Sequence, residues 1–267
     1  MRTRWLLLSL VASVASAQVN VEGLSGDAKE EGVSGELGLQ LAGSRGNVDF
    51  LEVGGTLSLR KQELFDSSVQ PVDDAPPYFR RRFVLVIDRE FGSLEDRRFA
   101  DRGFAHARWT HMRAPRFGWD FFAQYQFDDF RRLRDRAIGG LGVRWDPLRT
   151  VETQLWMGSG YMLEHERIDV APAASDEAES VNHRWTSYAV VRQRLAERNV
   201  TVQNVVYVQP RIDRFADFRI LEVASLGVVI AQRFELRVEL EVQHDSDPPR
   251  GVVPTDVRVR NAFSVRF

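Results

Sequence analysis

The sequence contains no cysteine among its 267 residues. This absence excludes disulfide bonds, thiolate metal sites and a cysteine nucleophile. An excess of one charge is also missing, because 36 Lys and Arg residues stand against 38 Asp and Glu residues, for a formal net charge of −2. Such a balance provides no global basic field for nucleic acid, and we expect no nucleic-acid partner.

Long apolar runs are missing beyond the start of the chain. Residues 5–14 are mainly apolar, Arg2 and Arg4 precede them, and Ala15-Ser16-Ala17 follows as a small-x-small cleavage site. This arrangement predicts a cleaved secretory signal peptide over residues 1–17, because its apolar part is too short to span a bilayer as a helix. No cysteine follows the cleavage site, so a lipoprotein anchor is excluded.

The sequence has instead a strict alternation of apolar and polar residues, which is clearest near its end. The apolar residues of the last two segments are Phe234, Leu236, Val238, Leu240, Val242, Val257, Val259, Phe263, Val265 and Phe267. Their polar neighbours include Glu235, Arg237, Glu239, Glu241, Arg258, Arg260 and Arg266. A strand turns successive side chains to opposite faces, so each segment has one apolar and one charged face. This pattern predicts the closing hairpin of a membrane β-barrel, apolar towards lipid and polar towards the lumen.

The same alternation recurs along the whole mature chain and predicts a closed antiparallel transmembrane β-barrel of about 12 strands as a single domain over residues 32–267. Residues 18–31 are predicted to be a periplasmic lead-in. The predicted strands are 32–42, 50–61, 79–91, 103–113, 119–130, 136–145, 151–165, 182–194, 200–212, 218–230 and the closing pair within 234–267. Periplasmic turns are expected to be short, and the outer loops 166–181 and 245–256 long. Residues 62–78 depart from this rule, because they form a long connection on the periplasmic side; either they are an inserted loop or the strand count is wrong there.

Charged residues on the inward faces are the candidate functional residues. They are Glu36, Glu52, Arg60, Asp88, Asp128, Arg144, Glu235, Arg237, Glu239, Glu241, Arg258, Arg260 and Arg266. One interpretation is a ladder of salt bridges that fills the lumen and fixes the strand register. The other is a polar passage for small solutes. Barrels of about 8 strands are packed solid and those of 16–18 are open, so the strand number does not decide between the two.

Catalytic and metal-binding patterns are weak. His106 and His111 share a strand at odd spacing and face opposite sides, so they do not chelate one metal together. His165, His183 and His244 lie near loops, and we expect no metal and no cofactor. A phospholipase-like site would need a serine and a histidine on adjacent strands, for which the candidates are Ser187 with His183 and Ser246 with His244. Nothing in the spacing selects these pairs, and we do not expect an enzyme.

Aromatic residues near strand ends or on outward faces predict girdles at the membrane–water boundaries. They are Trp119, Tyr125, Phe127, Trp145, Trp156, Tyr161 and Trp185. Stacking sites for a sugar or nucleobase would need inward-facing rings, and Trp156 and Tyr188 are the plausible ones.

Three hairpin segments resemble those of a known family. They are the turn Ser44-Arg45-Gly46-Asn47-Val48-Asp49, the central hairpin that begins with residues 119–128, and the closing loop Asp245-Ser246-Asp247-Pro248-Pro249 with Asp256. Together they are similar to the salt-induced outer-membrane protein family (YdiY-like), a domain of unknown function. The first turn has valine where the family has threonine. The resemblance implies a bacterial outer-membrane β-barrel and supplies no catalytic residues.

We therefore expect a monomeric outer-membrane protein with a structural or passive small-solute pore role. The alternatives are an outer-membrane lipid-modifying enzyme and a binding module that uses residues 166–181 and 245–256. The expected partners are outer-membrane lipids, lipopolysaccharide and, during insertion, the barrel-assembly machinery. Phe263, Val265 and Phe267 are the candidate insertion signal.

Overall fold

The computed structural model describes residues 31–44, 49–71, 75–95, 97–170, 176–195, 199–231 and 234–266. Within these ranges the chain forms twelve β-strands and two short 3₁₀ turns, at Ser67–Val69 and Asp129–Arg131. The strands are β1 (Gly32–Ser44), β2 (Phe50–Leu64), β3 (Phe79–Leu94), β4 (Arg97–Ala114), β5 (Phe117–Asp128), β6 (Leu133–Arg149), β7 (Thr153–Ile168), β8 (Glu179–Leu195), β9 (Val200–Pro210), β10 (Phe218–Ala231), β11 (Phe234–Asp245) and β12 (Thr255–Arg266). The predicted signal peptide lies outside the described residues, as does nearly all of the predicted lead-in.

Every strand pairs antiparallel with its neighbours in the chain, and β12 pairs with β1, so the strand order closes into a ring. The twelve-stranded antiparallel barrel predicted from the alternation is confirmed. We call the end at which β1 begins and β12 ends the terminal end, and the opposite end the loop end. The sequence assigns the terminal end to the periplasm. No helix in the described part of the chain is long and apolar enough to cross a membrane.

The alternation places apolar residues on the outer surface and charged residues inside. Leu236, Leu240 and Phe263 are exposed on the outside, while Glu235 and Glu241 on the same sheet are buried. The rings of Trp119, Tyr125, Trp145, Tyr161 and Trp185 are also exposed, as expected for girdles. Trp156 is an exception, because it is buried inside the barrel with Tyr188. Its prediction as a girdle residue is wrong, whereas the inward orientation proposed for both rings is confirmed.

Two predicted boundaries are wrong, because charged residues were taken as loop residues. The predicted loop 92–102 is mostly strand, since β3 continues to Leu94 and β4 begins at Arg97. Asp101 stabilises this extension by ion pairs with Arg89 at 2.5 Å and with Arg98 at 2.7 Å. The predicted turn at Asp146-Pro147-Leu148 lies inside β6, at an irregularity of its pairing with β7 between Trp145 and Leu148. Proline is tolerated at such an irregularity because no ladder hydrogen bond is needed from it.

The long connection between β2 and β3 is a periplasmic-side insertion and not an error in the strand count. It includes the 3₁₀ turn Ser67–Val69. The Gln70 side chain secures it, because its amide nitrogen donates to the Phe65 and Tyr78 carbonyls at 2.7 and 2.9 Å and its oxygen accepts from the Tyr78 N–H at 2.7 Å. Phe79, where β3 begins, is 1% exposed. The loop therefore packs against the barrel at the terminal end.

Candidate functional site

The structure places the predicted inward charges inside the barrel, with Asp128, Arg144, Glu235, Glu241 and Arg258 buried. Glu36, Glu52, Arg60, Asp88, Arg237, Glu239 and Arg260 are half-buried on the same inner face. The Glu–Arg ladder of the closing hairpin is present, since Arg260 contacts Glu239 at 2.7 Å and Glu241 at 2.9 Å. Arg237 joins β11 to β1 through Glu36 at 3.5 Å. The side chains of Val265 and Arg266 and the whole of Phe267 lie outside the described residues.

A network of buried charges crosses the lumen at the loop end. Its centre is Glu164 on β7, whose carboxylate accepts from Arg184 on β8 at 3.2 Å and contacts Arg136 on β6 at 3.4 Å. Arg219 on β10 reaches back over the two intervening strands to bind Glu164, and it also contacts Glu166 at 3.1 Å. Glu164 is 1% exposed. A buried carboxylate of this kind is tolerated because several arginines neutralise it.

A second contact at the loop end joins opposite walls of the barrel. Arg131, in the 3₁₀ turn after β5, contacts Asp256 on β12 at 3.3 Å and donates to the Gln243 side chain on β11 at 3.4 Å. The next residue, Arg132, donates to the carbonyls of Asp169 and Arg250 at 2.6 Å each. These two arginines therefore tie one outer turn to the far wall and to two other outer connections.

In the middle of the barrel a tyrosine contacts an aspartate across the lumen. The Tyr188 hydroxyl on β8 donates to Asp120 Oδ2 on β5 at 2.7 Å, and Thr110 donates to the other carboxylate oxygen at 2.5 Å. Arg108 lies 4.0 Å from Asp120, with its guanidinium carbon 5.2 Å from the centroid of the Tyr188 ring. Beside this contact is a cavity of about 40 Å³ lined by Asp120, Tyr188, His106, Glu164 and Gln209, among others. A cavity of this size holds a few water molecules.

Glycines on the inner faces of β6 and β7 give the central rings their space. A Cβ at Gly158 would lie 2.4 Å from the Tyr188 ring, and one at Gly140 would lie 2.2 Å from the Phe122 ring. Cβ atoms essentially never approach other atoms this closely, so any larger residue would displace the rings. The predicted strand 136–145 was noted only as glycine-rich, and the sequence gave no sign that these glycines face large rings.

The interior is also less polar than the sequence predicted. Trp156, Tyr188, Val190, Val205, Tyr207, Leu221 and Val223 form a buried apolar cluster on β7–β10. These residues share the inner face with Arg184 and Arg192, so the polar-lumen expectation is wrong for this wall. A solid packing of apolar side chains inside the barrel leaves no continuous water-filled path along it.

The terminal end contains a stack of arginines and aromatic rings. Arg82 lies 3.6 Å and Arg144 5.6 Å from the centroid of the Phe79 ring. Arg144 also lies 5.4 Å and Arg192 5.2 Å from the centroid of Trp156. Arginines over aromatic faces are stabilised by cation–π attraction, more strongly where water is excluded. The β2–β3 connection is thus joined through Phe79 to side chains from β6, β7 and β8.

The sequence interpretation missed the residues at the centre of these contacts. Arg219, Glu164, Arg136, Asp120 and Arg108 all occupy inner-face positions of strands that were recognised. Extending the alternation along β4–β10 would have assigned them to the lumen. Their partners could not be found in this way, because contacts between non-adjacent strands depend on the curvature of the sheet.

The proposed serine–histidine pairs are not formed. Ser187 hydrogen-bonds to Ser159 at 2.9 Å, while His183 is bonded to Tyr161 at 2.6 Å. Ser246 donates to the Ala216 carbonyl at 2.9 Å, and His244 is bonded to Thr255 at 2.9 Å. Among the described residues, no group of three or more His, Asp or Glu side chains is placed to hold a metal ion.

Comparison with known proteins gives a family and several distant structural likenesses. The family model described as "Protein of unknown function, DUF481" matches residues 80–267. A search of curated proteins finds no significant match.

Among solved structures, the NanC porin has 8% identity and a TM-score of 0.44, covering 87% of this chain and 97% of its own. A bacterial polysaccharide outer membrane secretin has 7% identity and a TM-score of 0.46, covering 89% and 99%. The β domain of the Bordetella autotransporter BrkA has 10% identity and a TM-score of 0.44, covering 88% and 98%. At these scores the likenesses carry no inference about what this chain binds.

Proposed function

From the premise that this chain belongs to the DUF481 family of outer-membrane β-barrels, we propose that its barrel has a structural role and a lumen closed along its axis at rest. The family is the one that the three hairpin segments resemble, so that resemblance is confirmed. The observation that carries the proposal is the contact of Arg219 on β10 with Glu164 on β7, with Arg131 reaching the opposite wall beside it. Of the two interpretations of the inward charges, this geometry favours the filled lumen.

Closure at several depths supports this function over that of an open pore. The loop end is crossed by ion pairs, the middle by the Tyr188–Asp120 hydrogen bond, and the terminal end by the stack that includes Phe79. Separating a buried ion pair leaves a charge without its partner, at a cost of roughly 3–5 kcal/mol. An axial path for solutes therefore requires several costly contacts to break together.

Conductance of the refolded protein in a planar bilayer tests the proposal. The wild-type protein is expected to give no steady unit conductance. The double variant Arg131→Ala with Arg219→Ala removes the two arginines that cross the loop end, and we expect it to conduct ions. Arg81→Ala, which removes the exposed Arg81–Glu63 pair, is the control and should remain silent. Steady conductance from the wild-type protein would contradict the closed lumen and support the passive-pore role.

A non-catalytic role is the second part of the proposal. The hydrogen bonds of Ser187, His183, Ser246 and His244 to other residues support it. Phospholipid turnover by the refolded protein is the test, with the double variant Ser187→Ala and Ser246→Ala as the comparison. Turnover that disappears in this variant would contradict a non-catalytic role and favour the lipid-modifying enzyme.

The remaining expectations concern export and partners. We propose that residues 1–17 are removed during export, which amino-terminal sequencing of the membrane-inserted protein tests. We also propose a monomer in contact with outer-membrane lipids and lipopolysaccharide, inserted by the barrel-assembly machinery. The exposed apolar surface formed by residues such as Leu226, Leu236 and Leu240 supports contact with lipid.

A further inference from the structure

The barrel is joined unevenly around its ring. Pairing between β1 and β12 extends over four residue pairs, from Glu36–Arg266 to Leu39–Phe263. Every other neighbouring pair of strands in the described part of the chain is joined by nine to fifteen residue pairs. Residues 40–44 of β1 and 255–262 of β12 therefore face each other without ladder hydrogen bonds. We call this unpaired stretch the seam opening.

Exposure of the outward side chains shows the same opening. Along β1 the exposed fraction rises from 40% at Leu37, where the strands are paired, to 64% at Leu39 and 79% at Leu41. On β12, Val259 is 65% exposed. By contrast, Leu226 and Val202, paired on β10 and β9, are 43% and 39% exposed. The apolar residues beside the opening have thus lost the neighbour that an intact ladder would provide.

The inner wall behind the opening is lined by small side chains. The inward residues of β1 and β2 there include Gly38, Gly54, Thr56 and Ser58. A Cβ at Gly38 would meet nothing closer than 3.8 Å, whereas one at Gly160 on β7 would be 2.2 Å from a backbone oxygen. The lumen therefore has free space behind the opening and is tightly packed at β6–β7.

Unpaired backbone groups within a bilayer are unfavourable, because lipid tails cannot hydrogen-bond to them. A single added β-strand would not complete the ladder well, since β1 and β12 are antiparallel and a strand between them would be parallel to one of them. A polar head group, in contrast, can hydrogen-bond to the free backbone groups of both edges. The attached acyl chain would contact Leu39, Leu41 and Val259.

We propose that the seam opening is a lateral binding site for a single-chain lipid amphiphile. Its polar head occupies the small-residue space beside Gly38 and Thr56, and its acyl tail lies between β1 and β12. This goes beyond the closed axial lumen proposed above, because it connects the interior with the membrane and not with either aqueous side. The site does not require the loop-end ion pairs to open.

Photolabelling of the refolded full-length protein in lipid vesicles tests this site. Two probes are used, a diazirine fatty acid and a diazirine lysophosphatidylcholine, and the labelled peptides are identified by mass spectrometry. Labelling is expected on peptides that contain Leu41, Val259 and the inner-wall residues 54–58, and to exceed labelling on the β9–β10 pair. Labelling by one probe alone identifies the head group. Equal labelling of the seam and of β9–β10 would overturn the proposal.

Closing the opening provides the second arm, and the absence of native cysteine makes it clean. If the pairing continued in register beyond Leu39–Phe263, Leu41 would oppose Asn261, so Leu41→Cys with Asn261→Cys should lock the seam when oxidised. The control is Leu226→Cys with Val202→Cys on an intact ladder. Oxidation of the seam pair is expected to abolish inner-wall labelling, and reduction to restore it, with no effect in the control.

Gly38→Trp tests the site without a disulfide, because it fills the space behind the opening. It is expected to fold, since the position has room for a side chain, and to lose inner-wall labelling. Conductance of the same variant should stay that of the wild type, which separates this site from the axial closure. Inner-wall labelling that persists in Gly38→Trp, or in the oxidised seam pair, would overturn the proposal.

Discussion

Tyr188 and Asp120 are joined across the lumen by a 2.7 Å hydrogen bond, although β8 and β5 are separated by two other strands in the ring. Replacing Tyr188 by phenylalanine keeps the ring and removes this bond. Since the acceptor is a buried carboxylate, we expect a loss of about 1.5–3 kcal/mol in the free energy of unfolding. Urea unfolding in detergent micelles or vesicles measures it. A double-mutant cycle with Asp120→Asn checks the pairing, and additive effects would contradict a direct interaction.

Gly158 determines where the Tyr188 ring lies. Gly158→Ala places a methyl group 2.4 Å from that ring, and the ring must move away from Asp120. We expect a destabilisation of about 1–3 kcal/mol, typical of overpacking. Gly139→Ala is the matched control, since a Cβ there meets no atom within 4 Å. Equal unfolding midpoints for the two variants would show that the inner wall yields more easily than its packing indicates.

Arg219 neutralises three buried carboxylates, those of Glu164, Glu166 and Asp245. Arg219→Ala leaves them with fewer partners, and we expect roughly 3–5 kcal/mol of lost stability. Arg81→Ala removes a pair whose side chains are 49% and 45% exposed, and it should cost under about 1 kcal/mol. Thermal unfolding followed by gel mobility or circular dichroism compares the two variants. A loss for Arg219→Ala no larger than that for Arg81→Ala would contradict the central role of Arg219.

The orientation of the barrel can be measured with single cysteines. Asp213 lies in the β9–β10 connection at the loop end, and Asp66 in the β2–β3 connection at the terminal end. A membrane-impermeant maleimide added to intact cells should label Asp213→Cys and should label Asp66→Cys only after the outer membrane is permeabilised. The reverse pattern would invert the orientation assigned from the loop lengths.

The same outer connection gives a pH prediction. The hydrogen bonds donated by Arg211 to Asp213, at 3.0 and 2.6 Å, lower the pKa of the Asp213 carboxyl below its usual value. A lowered pKa in the folded state means that this contribution to stability is present above the ordinary aspartate range and is lost as the pH falls through the folded pKa. NMR titration should show a midpoint below that of a free aspartate, and Arg211→Gln should raise it. An unchanged midpoint in Arg211→Gln would exclude Arg211 as the cause.

Local pattern was sufficient to predict which residues face lipid and which face the interior in most strands. Leu236 and Glu235 illustrate this, because successive side chains of a strand necessarily point to opposite faces. The pattern failed where charge was taken as a sign of a loop, as at residues 92–102. It also failed for Trp156, Val190 and Leu221, which are apolar residues inside the barrel. Alternation records that a face is shared, and it does not record what fills the space behind that face.

By itself, the sequence determined the twelve antiparallel strands and the inward position of the charged residues it singled out, because the two-residue period of a strand is local. Tertiary structure alone decided that Arg219 meets Glu164, that Tyr188 meets Asp120 and that the seam between β1 and β12 is short. These contacts join residues that are distant in the chain, and their distances depend on how the sheet curves and closes. Whether the interior is filled or open is therefore a property of the ring of strands and not of any single strand.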